Sequence, residues 1–140
     1  MSIAYRFFVA GILFALTGMS LGTYMGTVHD FTLAPVHAHL NLVGWVTFFL
    51  FGLFYRGDVP AARSLVAEAH FLCAALGGVL LPVGIVGAVT ENAPLALAII
   101  PGTLLTLVSM ALFLAVVVRS WSRARSVSRA PRREIAEAMA

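Results

Sequence analysis

The chain has 140 residues, of which 61% are hydrophobic and 11% charged, with a formal net charge of +3 and a mean hydropathy of +0.97. Soluble domains carry about a quarter charged residues, so so apolar a chain excludes a water-soluble fold and takes lipid as its main solvent. All nine positive residues are arginines flanking apolar runs, which excludes a nucleic-acid face, and the lone Cys73 excludes an internal disulfide.

The first apolar run covers about residues 5–27. Arg6 ahead of it suggests a signal peptide, but the run is as long as a full span and no A-x-A cleavage site follows, so it reads as an uncleaved anchor. Gly11, Ala15, Gly18, Gly22 and Gly26 form a small-residue stripe along it, suited first to packing inside the bundle and second to a subunit interface. The second run covers about 36–55. The third, about 65–89, carries Gly77, Gly78, Pro82, Gly84 and Gly87, which predict a kinked and closely packed helix. The fourth, about 95–121, has Pro101 but no ionisable group in its interior and reads as scaffold. Each connector holds the Pro, Gly, Asn or Asp of a turn.

These runs predict an all-α integral membrane four-helix bundle over residues 1–122, followed by an arginine-rich tail over 123–140 whose last residues suit a short helix. Arg6, the Arg56–Arg63 connector and the six arginines from Arg119 onward fall on one side, and the other two connectors contain none. Because arginine-bearing segments are retained inside, both termini are expected to be cytoplasmic in a bacterial inner membrane.

Four histidines stand where ionisable groups are expensive. His29 closes the first span, His37 and His39 open the second, and these three gather at the arginine-free face. His70 begins the third span near the opposite face. On an α-helix an i,i+2 pair points about 200° apart, so His37 and His39 address two sites on opposite flanks instead of sharing one metal. The His37 flank is expected to carry Asn41, Gly44 and Phe48, and the His39 flank Leu42, Val43, Val46 and Leu50. The second kind of surface suits a flat apolar macrocycle with one axial nitrogen.

The run His37-Ala38-His39-Leu40-Asn41-Leu42-Val43-Gly44-Trp45-Val46, followed by Phe51-Gly52-Leu53-Phe54-Tyr55, resembles one helix of the heme-copper oxidase catalytic subunit, most closely the cbb-type. The whole chain is similar to small four-helix proteins described as oxidase subunit I-like, which share the H-D-F and H-x-H-L-N-L patterns. The resemblance implies heme b, one or two per chain, with His37 in the place of the high-spin heme ligand and His39 in that of the low-spin ligand. It covers about twenty residues. Oxidase subunits have many more spans and draw copper ligands from further helices, so oxygen reduction of that type is not expected of this chain alone.

His29 is a candidate second axial ligand, and Asp30, Asn41, Gly44 and Trp45 are expected around the pair. Met19 and Met25 are soft-ligand candidates. His70 lies roughly 15 Å deeper than His39, which leaves it for a separate site or as a partner of Glu68. The expected function is electron transfer or diatomic gas binding, with quinol or a periplasmic donor as partner. The alternatives are a copper or zinc site of His29, Asp30 and one of the pair, or a cofactor-free subunit of a respiratory complex. A homo-oligomer, dimer or trimer, is expected to bury the glycine stripe and complete the walls around the cofactor.

Overall fold

A computed structural model describes the backbone of residues 1–138 and the side chains of residues 1–126. Among the described residues every regular element is helical. Four segments are long and apolar enough to cross a membrane: Ile3–Val28, Ala34–Gly57, Leu65–Val89 and Ala93–Ser126. The protein is therefore an all-α, multi-pass membrane four-helix bundle, as the hydropathy pattern predicts.

Helix α1 is Ile3–Val28. The second span joins α2 (Ala34–His39), a π-helical segment (Leu40–Val46) and α3 (Thr47–Gly57). A short turn, α4 (Val59–Ala62), leads to α5 (Leu65–Val89). A second short turn, α6 (Ala93–Ala96), leads to α7 (Ile99–Ala138). The connectors are built as their residues dictate. His29 and Glu91 take the left-handed conformation, with φ of 54° and 56°. Asp58, Ser64 and Asn92 cap α4, α5 and α6 by accepting from Ala61 N, Ala67 N and Leu95 N, which satisfies backbone donors that the helix start leaves free. Helix α7 continues past residue 121 as one piece. The C-terminal segment expected as a separate short helix is thus the backbone continuation of the fourth span, and its side chains lie outside the described residues.

The glycine stripe of α1 is covered by the second span of the same chain. A Cβ on Gly11 would touch Phe48 and the Trp45 carbonyl, one on Gly18 would strike Asn41, and one on Gly22 would strike His37, while Gly26 alone faces open space. The stripe is therefore an intrachain packing surface, and the expectation that an oligomer buries it is corrected. The third and fourth spans use the same device. Gly77 lies against Thr106, Gly84 against the Ile99 backbone and Gly87 against Leu95 and Ala96, so α5 and α7 approach closely. A row of rings fills the centre: Phe7 stands 5.6 Å from Phe48, 5.4 Å from Phe51 and 5.0 Å from His70. At the arginine-bearing ends, Arg6 pairs with Glu68 and Arg123 with Asp58.

The π segment sets the second span apart from a plain α-helix. The Thr47 backbone N–H reaches the Leu42 carbonyl, five residues back, and its hydroxyl donates to the same oxygen at 2.7 Å. The buried residues Val36, Leu40, Gly44 and Phe48 recur at a strict spacing of four. In an α-helix each such step drifts by about 40°. The wider π turn removes that drift and holds the whole row against α1.

Candidate cofactor site

The His37-Ala38-His39 pair lies entirely in α2, which is α-helical, so the two imidazoles diverge by about 200° as their spacing requires. His37 faces α1. Its Nδ1 is 2.8 Å from the Gly18 carbonyl oxygen, and a Cβ on Gly22 would fall 2.7 Å from its Cε1. Only a glycine at position 22 lets the ring lie that close to the α1 backbone. His39 turns the other way, with Nδ1 2.8 Å from the Pro35 carbonyl oxygen one turn back in its own helix.

Both contacts fix a tautomer. A carbonyl oxygen can only accept, so Nδ1 carries the proton in each neutral ring and Nε2 keeps its lone pair. Asn41 Nδ2 is 3.4 Å from His37 Nδ1, but both atoms are then donors, and the amide donates to the His37 carbonyl at 2.8 Å instead. Asn41 thus packs beside His37, wedged on Gly18.

Several expectations are corrected. Gly44 does not border the site: the Phe14 ring occupies the place a side chain would take. Trp45 is 41% exposed and makes no hydrogen bond or ring contact with either histidine. Leu42, Val46 and Leu50 are exposed, opposite the buried four-residue row, whereas half-buried Val43 and Thr47 follow His39. The wide π turns shift the flank assignments made for Leu42, Val46 and Leu50 on α-helical geometry, while Asn41 and Val43 keep theirs. Asp30 orients no histidine. Its Oδ1 accepts from the Thr32 hydroxyl at 2.6 Å and the Thr32 amide at 2.9 Å. These bonds favour the charged form and lower the carboxyl pKa below its ordinary value. His29 is exposed, and among the described residues its side chain has no hydrogen-bond partner. Met19 is exposed, while Met25 is buried. Among the described residues no three His, Cys, Asp or Glu side chains gather as a metal group.

His70 stands apart, as the depth difference implies. It is fully buried against Phe7, Phe51 and Phe113. Its partner is the Tyr55 hydroxyl, 2.9 Å from Nδ1, and not Glu68, which Arg6 holds. Its Nε2 has no hydrogen-bond partner among the described residues. If Tyr55 donates to Nδ1, one buried donor is left unsatisfied. The reverse arrangement would strand both the tyrosine proton and the Nε2 lone pair, so the first is favoured. Sequence reasoning placed Tyr55 within a motif but gave it no partner, because two residues on different helices and 15 positions apart share no periodic signal.

No protein-family model matches the chain, and neither a curated protein nor a solved structure gives a significant match.

Proposed function

We propose that the chain is a heme b protein of the bacterial inner membrane, with His37 and His39 as axial ligands on opposite flanks of α2 and a role in electron transfer or diatomic gas binding. The observation that carries this reading is the pair of Nδ1 contacts to backbone carbonyls at 2.8 Å, to Gly18 and to Pro35. A ligating histidine needs its second nitrogen tied to an acceptor, which fixes the ring and raises the basicity of the other nitrogen. Both rings meet that requirement, and half-buried Val43 follows His39 one turn along the helix.

Heme b supplies a one-electron iron couple and, where an axial position is open, a place for oxygen or nitric oxide. The residues of this chain hold the two rings and fix their tautomers. The arginine pattern favours a periplasmic position for this end of the bundle, where quinol or a periplasmic donor would meet it. A copper or zinc site of His29, Asp30 and one of the pair has less support, since Thr32 engages Asp30 and the required third ligand is not gathered.

The visible spectrum of detergent-purified protein from heme-replete cells, oxidised and dithionite-reduced, tests this reading. An intense Soret band that weakens in both His37→Ala and His39→Ala supports it. Colourless wild-type protein refutes it.

A further inference from the structure

At the arginine-bearing end a pocket of about 540 Å³ opens between the start of α1, the end of α3, the α4 turn and the first turn of α5. Tyr55, Arg56, Arg63 and Glu68 provide polar walls. The charges there are not balanced. Glu68 is already neutralised by Arg6, and Arg123 is taken by Asp58 across the bundle. The Arg56 and Arg63 side chains are exposed and, among the described residues, make neither an ion pair nor a hydrogen bond. Two guanidinium groups thus line one pocket whose carboxylate, Glu68, is already paired with Arg6.

We propose that this pocket binds a phosphate group, supplied by an anionic phospholipid. A guanidinium presents a planar fork of donors that matches phosphate oxygens two at a time, and a tetrahedral phosphate can take a fork on each side. The pocket lies at the ends of three spans, the level at which bilayer phosphates sit. On its wall Tyr5 and Val59 are 55% and 51% exposed, an apolar rim along which acyl chains can run. A free inorganic phosphate shares the head chemistry but makes no use of that rim. This inference is independent of any cofactor at His37 or His39.

The test uses the full chain in phosphatidylcholine nanodiscs titrated with phosphatidylglycerol, with retained lipid counted by native mass spectrometry. The double variant Arg56→Gln/Arg63→Gln is expected to weaken phosphatidylglycerol retention by about tenfold or more, as befits the loss of charge-assisted hydrogen bonds. Arg119→Gln, an exposed arginine outside this pocket, is expected to retain the lipid as the wild type does. Inorganic phosphate added as competitor separates the sources: failure to displace the lipid supports the phospholipid, and full displacement supports a phosphate site that free phosphate also fills. Unchanged retention in the double variant overturns the proposal. So does an equal loss in Arg119→Gln, which would reduce the effect to general surface charge.

Discussion

His37 donates its Nδ1 proton to the Gly18 carbonyl oxygen at 2.8 Å, so a side chain of the second span is fastened to the backbone of the first. The contact depends on Gly22, where an added methyl group would overlap the ring. Gly22→Ala is expected to push the imidazole off its carbonyl and destabilise the bundle by about 1–3 kcal/mol, the usual range for overpacking. The check is twofold: a lower unfolding midpoint in detergent, and a Soret band altered in the way His37→Ala alters it. A wild-type spectrum in a destabilised Gly22→Ala protein would separate the packing role from the ligand role.

The Tyr55–His70 hydrogen bond at 2.9 Å is fully buried. Removing one partner leaves the other without any, and a buried unsatisfied group costs about 1–3 kcal/mol. Tyr55→Phe and His70→Phe are each expected to lower stability by that order. The double variant should lose clearly less than the sum of the two, because no orphaned polar group remains. Additive losses in a double-mutant cycle would mean that the pair contributes no coupling.

Asp30 has its carboxyl pKa lowered from 3.8 by the Thr32 hydroxyl and amide. The sign follows directly. A group with a depressed folded pKa contributes stability above its unfolded pKa, and that contribution is lost as pH falls through the folded value. The 29–33 connector should therefore loosen only below about pH 3.8, and Asp30→Asn should remove the pH dependence. Exchange of the Thr32 amide, followed against pH in wild type and variant, reads this out.

Gly84 faces the Ile99 backbone, and backbone cannot move aside as a flexible side chain can. Gly84→Val is expected to separate the third and fourth spans and to destabilise the protein by about 1–3 kcal/mol or more. Gly26→Val, at a position with open space, should change the unfolding midpoint little. Similar midpoints for the two variants would contradict the packing described for α5 and α7.

The span pattern was legible because lipid demands it. The run read as 65–89 coincides with α5, and the other spans differ only near their ends. The divergence of His37 and His39 was legible too, since it depends only on helical period. What the sequence hid lies in the second dimension of the packing. Nothing marks Tyr55 and His70 as partners, and nothing marks Phe14 as the ring that fills the space beside Gly44. The π segment was hidden too. Val36, Leu40, Gly44 and Phe48 stand four apart, but Leu42, Val43, Trp45 and Val46 between them are as apolar, and only burial picks out the row.

The π segment also makes residue count a determinant of aim. It takes one more residue per hydrogen-bonded turn than an α-helix does, so relaxing Leu40–Val46 to plain α geometry with its length unchanged would leave about one residue of rotation uncompensated, which deleting one residue there would cancel. Without that deletion the outer half would turn by about 100° relative to the inner half. His37 would leave Gly22 while Phe48, Phe51 and Tyr55 kept their places around Phe7. The bearing of the histidines relative to the aromatic core is thus set by the length of the backbone between them.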